Sequence, residues 1–262
     1  MGLLSGKRGV IMGIANERSI ATSIAKALHK EGAKIAYSYL PDQGPRSRNF
    51  ERIKQITNDL DPIFLEPCDV SQDSDIEAFF KKAGTDFEKI DFIIHSIAFA
   101  PTEDIKKKTI AVSREGFKQA MDISVYSLLK VCDAASPYLN ENASICALSY
   151  FGGEKVMPGY NMMGVCKSAL EMAVRYAAYD LGEQKVRVNA ISAGPIKTLA
   201  ASAVGDFKRM LSMNEQTSPL RNNISAEDVA NSAIYLTSDL SKQVTGEILH
   251  VDCGFNIMGA VQ

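Results

Sequence analysis

Residues 148–182 read LSYFGGEKVMPGYNMMGVCKSALEMAVRYAAYDLG, and this stretch combines a helical pattern with chemically useful side chains. Pro158 suits the first turn of a helix, because the N–H that proline lacks has no intrahelical partner there. After Pro158, apolar and small residues recur at spacings of three and four, the α-helical period: Met162, Val165, Ala169, Met172, Ala173 and Tyr176. The pattern therefore predicts a long helix that begins near Pro158.

Tyr160 and Lys167 fall within this predicted helix and stand two turns apart. Two turns would return them to within about 20° of each other and about 10 Å apart along the axis. Helical side chains lean toward the N-terminus, so the lysine would reach toward the tyrosine and leave a slot about the size of a sugar. Tyr150, before a Gly152–Gly153 turn, could close that slot. A tyrosine and a lysine on one helix are more often structural, so a functional role depends on the rest of the chain.

Composition indicates a globular α/β protein. The chain has 262 residues, of which 46% are hydrophobic and 23% charged, and its net charge is −2. A balance this close to neutral argues against a nucleic-acid partner, which would require a basic stripe. No apolar run reaches membrane-spanning length, and the opening MGLLSGKRG is too short for a signal peptide.

The cysteines and histidines indicate neither disulfides nor a metal site. The five cysteines are odd in number and lack CxxC spacing, so we expect reduced, mostly buried thiols in a cytosolic protein. The three histidines, His29, His95 and His250, are far apart and lack metal-ligand spacing. We therefore expect no bound metal.

Strand-like and helix-like segments alternate along the whole chain. The predicted strands are Lys7–Met12, Ala33–Tyr39, Pro62–Glu66, Ile90–Ser96, Ser144–Leu148, Lys185–Ile191 and Glu247–Val251. Besides the helix after Pro158, helices are predicted at Ser19–Lys30, Phe50–Leu60, Asp73–Ala83, Arg114 to about Leu139, and Ala226–Thr237. This alternation predicts a single-domain, Rossmann-type doubly wound parallel β-sheet over residues 1–262 with helices on both faces. Its ligand should lie across the carboxyl ends of the strands.

The turn after the first predicted strand is a candidate phosphate-binding turn. A dinucleotide fold needs small residues there, so that backbone and helix N–H groups can approach a pyrophosphate. Of the usual glycine fingerprint only Gly13 is present, while Ser19 and Ala21 supply the other small positions. By itself the turn fits a nucleotide site and a plain βα loop equally well.

The segment after the second predicted strand leaves the cofactor open. Asp42 would favour NADH by accepting from the adenine ribose, whereas Arg46 and Arg48 could accommodate the 2′-phosphate of NADPH. All three could equally be solvated loop charges.

Two further strand ends complete the predicted site. Asp69 and Val70 follow the third strand, where they could hold the adenine. Residues 95–100 (HSIAFA) follow the fourth strand, at the switch between the two halves of the sheet. A nicotinamide ribose would lie there.

These motifs together resemble the enoyl-[acyl-carrier-protein] reductases of bacterial type II fatty acid synthesis, a divergent branch of the short-chain dehydrogenase/reductases. The resemblance covers essentially the whole chain. It rests on LSGKR at 4–8, the Gly13–Ala21 turn, CDV at 68–70, HSI at 95–97, Tyr150, Tyr160, Lys167, RVNAISAGPIKTLA at 187–200 and HVD at 250–252. The six residues between Tyr160 and Lys167 discriminate most, since ordinary members of the superfamily have three.

The resemblance implies reduction of the trans-2 double bond of an enoyl thioester by NADH, with NADPH as the alternative cofactor. By analogy, Tyr160 donates a hydrogen bond to the developing enolate oxygen, Lys167 holds the nicotinamide ribose, and Tyr150 shapes the pocket. The other cofactor-binding residues implied are Gly13, Ser19, Ile20, Leu40, Asp69, Val70, Ile97, Ile196, Lys197, Thr198, Leu199 and Ala200. The substrate-binding residues implied are Ala100, Tyr150, Tyr160, Ala200 and Ala203.

Residues 196–219 are expected to form a substrate-binding loop and flap, and Lys208 and Arg209 are candidates for docking the acidic acyl carrier protein. Relatives are usually homotetramers, and the apolar segment 254–260 is consistent with burial between subunits. The chain departs from the family at Ala98, where glycine is frequent, and at Leu40, where several relatives have a polar residue.

Two other functions compete with enoyl reduction. A 3-ketoacyl or ketone reductase would want a lysine four residues after the tyrosine, but residue 164 is glycine. A catalytically inactive NAD(H) sensor is disfavoured by the intact Tyr160 and Lys167.

Overall fold

The computed structural model describes residues 2–42, 44, 48–198 and 207–259, and over these residues its centre is a seven-stranded parallel β-sheet. The strands are β1 (Arg8–Met12), β2 (Lys34–Tyr39), β3 (Leu65–Pro67), β4 (Ile90–His95), β5 (Leu139–Ser149), β6 (Arg187–Ala193) and β7 (Ile248–Val251). Their order across the sheet is 3-2-1-4-5-6-7. The direction of winding therefore reverses between β1 and β4, which confirms the predicted doubly wound fold.

Helices cover both faces of the sheet. In chain order they are α1 (Ile20–Lys30), α2 (Arg48–Thr57), α3 (Asp73–Phe87), α4 (Thr102–Ile105), α5 (Arg114–Met121), α6 (Ser127–Ala135), α7 (Met162–Asp180), α8 (Phe207–Thr217) and α9 (Ala226–Thr237). A π-helical turn, Asp122–Tyr126, joins α5 to α6.

The hydrophobic core has two layers, one on each face of the sheet. Val10 and Met12 of β1 pack in one layer with Leu170 of α7, while Ile11 packs in the other layer with Ile24 of α1. Alternate strand residues point to opposite faces, so one strand contributes to both layers. Both faces are apolar because helices exclude water from each of them.

The helix predicted to begin near Pro158 begins at Met162 instead. Gly159 has φ +85° and Asn161 has φ +46°, both outside the right-handed helical region. Tyr160 therefore lies in the turn that precedes α7, and the prediction that Tyr160 and Lys167 share one helix was wrong.

Other boundaries moved by a few residues. The third strand was predicted at Pro62–Glu66 and is Leu65–Pro67, whereas the fifth begins at Leu139, ahead of the predicted Ser144. The early part of β5 includes Asn142 at φ +64°, and the β4–β5 register shifts nearby, so no alternating pattern marks it. The long helix predicted from Arg114 is divided by the π-helical turn.

The cysteines agree with the sequence prediction. All five are free thiols; Cys68, Cys132, Cys146 and Cys166 are buried, and Cys253 is half-buried. Within the described ranges, no helix is both long enough and apolar enough to cross a membrane.

Candidate active site

Several of the predicted site residues lie at the carboxyl edge of the sheet. In the parallel register Met12 is level with His95, and His95 with Ala147. The segments that follow β1, β4 and β5 therefore leave the sheet side by side and bring Gly13, Ser96 and Tyr150 to one edge. This edge includes the switch between β1 and β4, where ligands bind in doubly wound folds.

Gly13 forms a tight turn directly after β1. Its φ is +97°, a conformation that residues with a side chain rarely adopt. A Cβ at this position would lie 2.0 Å from the carbonyl oxygen of Ser96, so the turn packs against the segment after β4 with no room for a methyl group. The single glycine of the incomplete fingerprint is required by backbone geometry.

The N-terminus of α1 is suited to an anion. Ser19 occupies the N-cap position, but its hydroxyl donates to the carbonyl oxygen of Asn16, 2.8 Å away, and does not cap the helix. The first turn of α1 contains no acidic residue. Its backbone N–H groups and the positive end of the helix dipole therefore suit a pyrophosphate. These features fit a nicotinamide dinucleotide, for which Gly13, Ser19 and Ile20 would supply the phosphate cradle.

Tyr150 and Tyr160 form an aromatic pair at the end of β5. Their ring centroids lie 4.7 Å apart at an interplanar angle of 69°. Gly152 permits this pairing, because a Cβ there would lie 2.4 Å from Tyr160 Cδ1. Burial raises the pKa of both phenols above the usual value near 10. Both hydroxyls are therefore neutral hydrogen-bond donors at physiological pH.

Lys167 is a buried amine on the first turns of α7. Only 5% of the residue is exposed, and its Nζ donates to the carbonyl oxygen of Leu148 at 2.5 Å. Burial lowers the pKa of Lys167 to about 8. The amine is thus mainly protonated at neutral pH, and Leu148 ties it to the end of β5 beside the tyrosine pair.

His95 lies in the floor of the site. Its Nε2 is 2.9 Å from Ser127 Oγ, and that hydroxyl donates to the carbonyl oxygen of Ile123. The Ser127 oxygen is thus left to accept from an Nε2–H. Burial, and then the nearby Lys167, lower the pKa of His95 to about 3, so the ring is neutral.

The end of β2 gives Asp42 a structural role. Its carboxylate oxygens accept from the backbone N–H groups of Asn49 and Phe50, at 2.7 and 3.1 Å, in the first turn of α2. These hydrogen bonds lower its pKa. Leu40, beside it, is 58% exposed at the edge of the site. Arg48 is the exposed first residue of α2, and Arg46 lies outside the described residues.

The remaining predicted residues follow other strand ends. Asp69 accepts from the N–H and hydroxyl of Ser71 through Oδ1, and Val70 beside it is buried. After β4, Ile97 is half-buried and Ala100 is buried in the core. After β6, Ile196 and Thr198 are half-buried and Lys197 is exposed. Leu199, Ala200 and Ala203 lie outside the described residues.

The structure adds site residues that sequence patterns did not identify. Glu171, four residues after Lys167, is 3% exposed and accepts from Ser149 Oγ at 2.5 Å. Ser124, in the π-helical turn, both accepts from the N–H of Phe99 and donates to its carbonyl oxygen, at 2.9 Å each. The first could have been noticed as an acid among apolar neighbours on α7. No pattern indicated the second.

Fold and site together define a nicotinamide-dependent oxidoreductase of the short-chain dehydrogenase/reductase type. A hydride-transfer site needs a place for the dinucleotide and groups that orient the reactants. Here these are the switch-point location, the Gly13 turn, the uncapped N-terminus of α1, and the neutral Tyr160 near the buried Lys167.

Comparison with known proteins narrows this class to one family. The family model described as "Enoyl-(Acyl carrier protein) reductase" matches residues 13–256. The chain belongs to this family. It is 49% identical over 258 residues to enoyl-[acyl-carrier-protein] reductase [NADH] 1 of Rhizobium meliloti (strain 1021), covering 98% of this chain and 93% of that protein.

Solved structures agree with this assignment. The NADH enoyl-[acyl-carrier-protein] reductase from Aquifex aeolicus VF5 superposes with a TM-score of 0.93 at 45% identity, covering 99% of this chain and 100% of that one. The reductase from Anaplasma phagocytophilum in complex with NAD superposes with a TM-score of 0.94 at 42% identity, covering 100% and 98%.

Proposed function

We propose that this protein is an NADH-dependent enoyl-[acyl-carrier-protein] reductase that reduces the trans-2 double bond of enoyl thioesters. The observation that carries the proposal is the packed Tyr150–Tyr160 pair at the end of β5, with the buried Lys167 amine held to the carbonyl oxygen of Leu148 at the same strand end. Relatives over nearly the whole chain are named as NADH enoyl-[acyl-carrier-protein] reductases.

Tyr160 is the donor for the oxygen that becomes negative. Bound NADH would supply a hydride for the β-carbon of the substrate, which would leave enolate charge on the thioester oxygen. A neutral phenol in a largely buried site can donate a hydrogen bond to this charge without itself ionising. Such a donor typically contributes about 3 kcal/mol to transition-state stabilisation. Tyr150, packed edge-on against it, shapes the pocket and is the second hydroxyl available for relaying a proton from solvent to the α-carbon.

Lys167 is the residue that holds the cofactor ribose. One N–H of its ammonium group donates to the carbonyl oxygen of Leu148, at the end of β5. Because that oxygen belongs to a rigid strand, the hydrogen bond also fixes the directions of the other two N–H groups. Its positive charge suits hydrogen bonds to ribose hydroxyls, since charge-assisted bonds are stronger than neutral ones.

The preference for NADH is supported at the end of β2. The carboxylate of Asp42 is committed to the N–H groups of α2, and it places negative charge where a 2′-phosphate would approach. The exposed apolar side chain of Leu40 adjoins it. Both features favour an uncharged ribose, although the exposed Arg48 is nearby.

The carrier protein is the second macromolecule in this reaction. Lys208 and Arg209, exposed at the start of α8, are our candidates for contacts with its acidic surface. The predicted flap over the substrate, residues 196–219, stays a proposal: residues 199–206 lie outside the described part of the chain, and Phe207–Thr217 form α8. The free thiols support a cytosolic location.

The deciding experiment follows the loss of reduced-nicotinamide absorbance with a trans-2-enoyl thioester, using NADH and NADPH in parallel. We expect turnover with the enoyl substrate, faster with NADH, and none with a 3-ketoacyl thioester. Turnover with the ketoacyl substrate alone would assign a ketoreductase. Cofactor binding without turnover on either substrate would favour the sensor.

We also propose that the protein is a homotetramer. Helix α7 has two apolar faces: one faces the core through Cys166, Leu170 and Val174, and a second, formed by Val165, Met172, Tyr176 and Tyr179, is exposed. Tyr176 is 65% exposed in the single chain. An apolar stripe along a long helix is suited to the same stripe on a second copy. Ile257 and Met258, also exposed, are suited to a second contact.

Replacing Met172 with aspartate should reduce the mass of the assembly, because it places a charge in the middle of the exposed stripe. Sedimentation velocity measures the effect. The matched control is Leu3→Asp, at an exposed apolar residue distant in sequence from this helix, which should leave the mass unchanged. Wild-type protein that sediments as a monomer when dilute would contradict the proposal.

A further inference from the structure

Glu171 is a buried carboxylate that the proposed reaction leaves unexplained. It follows Lys167 by one helical turn and is 3% exposed; apart from these two, the buried residues of α7 are apolar. Burying a carboxylate costs several kcal/mol in free energy unless hydrogen bonds or an opposite charge compensate for it. Ser149 donates one such hydrogen bond, and the buried amine of Lys167 belongs to the preceding turn of the same helix.

The side chains of Lys167 and Glu171 form hydrogen bonds with consecutive residues at the end of β5. Lys167 Nζ donates to the carbonyl oxygen of Leu148 at 2.5 Å, and Glu171 Oε1 accepts from the hydroxyl of Ser149 at 2.5 Å. Tyr150 is the next residue. The ammonium and the carboxylate therefore jointly fix the strand end from which the tyrosine pair begins.

The catalytic loop also packs onto this part of α7. A Cβ on Gly153 would lie 2.9 Å from Glu171 Oε1 and 2.9 Å from the carbonyl carbon of Lys167. The loop that follows Tyr150 thus closes over both residues and excludes water from the carboxylate. An electrostatic interaction in such an environment is stronger than on the surface.

Several other titratable groups face Lys167 or Glu171. Cys166 and Arg175 lie on α7, and Tyr160 lies in the turn before it. The others are His95 on β4, Glu154 on the loop after Tyr150, and His250 on β7. Burial raises the pKa of Cys166 to about 11 and raises that of Tyr160, so both are neutral near pH 7. His95 is neutral as well. Glu154 is engaged with His250 Nε2 at 2.6 Å. Burial raises the pKa of Glu171, and the hydrogen bond from Ser149 opposes that rise. When ionised, Glu171 is a buried negative charge one helical turn from Lys167.

We propose that Glu171 is a positioning residue of the reductase site, whose buried carboxylate compensates the charge of Lys167 and holds the end of β5 through Ser149. This inference rests on the proposed function, because the lysine is assigned there to the cofactor ribose. Without the carboxylate, the lysine would lose its proton at a lower pH, and it would then bind the ribose more weakly.

The test is the pH dependence of NADH binding by the Glu171→Gln variant, followed by nicotinamide fluorescence. Glutamine can still accept from Ser149, so the change removes mainly the charge. The wild-type pKa of Lys167 is about 8, and affinity should fall as the pH rises through it. In the variant we expect this fall to begin about one pH unit lower, so that binding is about tenfold weaker above pH 8 and nearly unchanged at pH 6.

Asp180→Asn is the matched control, since it neutralises an exposed acid on the same helix and should leave the pH profile unchanged. A Glu171→Gln profile identical to that of the wild type would overturn the inference, and so would a loss of affinity that is equal at every pH. Wild-type protein that binds no NADH at any pH would instead contradict the proposed function itself.

A second measurement needs no cofactor. If Glu171→Gln fails to fold, the double variant Lys167→Met/Glu171→Gln provides the test, because removing both charges leaves neither ion buried alone. We expect the double variant to fold, and, if the single variant also folds, to unfold at a temperature at least about 3 °C above that of the single variant. A double variant no more stable than the single one would show that the two charges are independent and would overturn the inference.

Discussion

Replacing Tyr160 with phenylalanine should lower kcat for the enoyl thioester about 10²- to 10³-fold, which is the usual cost of removing one donor to a developing oxyanion. The ring would remain packed against Tyr150, since phenylalanine keeps the shape that gives the 4.7 Å centroid distance. NADH affinity should change by less than about threefold, because the hydroxyl acts on the substrate. Steady-state kinetics and a fluorescence titration measure the two effects separately.

Tyr138→Phe is the control for this substitution. Tyr138 stands just before the amino end of β5, the end of the strand opposite the site, so its hydroxyl should not affect turnover. Full activity in Tyr160→Phe would show that the Tyr160 hydroxyl is not the donor. Tyr150 would then be the donor, and kcat should fall in Tyr150→Phe instead.

Replacing Lys167 with methionine should weaken NADH binding about 30-fold or more. Hydrogen bonds to a charged group contribute about 2 kcal/mol each, and methionine fills a similar volume without donating. The loss concerns the cofactor, so saturating NADH should restore part of kcat. This separates the variant from Tyr160→Phe, in which kcat falls and binding is kept.

The control for the lysine is Lys185→Met. Lys185 is exposed and pairs with Glu141 at 2.5 Å, so its removal should leave the affinity for NADH unchanged. Circular dichroism of both variants checks that they fold. If Lys167→Met bound NADH within about threefold of the wild type, the lysine would not hold the ribose.

Local patterns were sufficient to predict the architecture. The continuous apolar strand Ile90–His95 and the amphipathic helix Ala226–Thr237 are recognisable from residue periodicity, and the helix is found at its predicted bounds. Their alternation implies a parallel sheet, since parallel strands need crossover helices. The turn at Gly13 was also accessible from sequence, because small residues directly after a strand permit the tight turn that a nucleotide-binding loop needs.

The exact placement of Tyr160 was not accessible in this way. Periodicity continued through Pro158 to Tyr160, but Gly159 and Asn161 adopt positive φ and break the helix. Glycine and asparagine permit such angles without requiring them. Contacts of the loop with α7, at Gly152 and Gly153, select among the conformations that the sequence allows.

Residue patterns alone predict the order of strands and helices along the chain, the glycine turn and the residue types of the site, because these depend on near neighbours in sequence. The folded chain was needed to show that Asp42 binds the N-terminus of α2, that one apolar face of α7 is buried while the other is exposed, and that Glu171 is buried beside Lys167. Burial and partner choice depend on segments distant in sequence. The sequence around a carboxylate looks the same whether the side chain is in water or in the core, and only the packing of distant segments distinguishes the two environments.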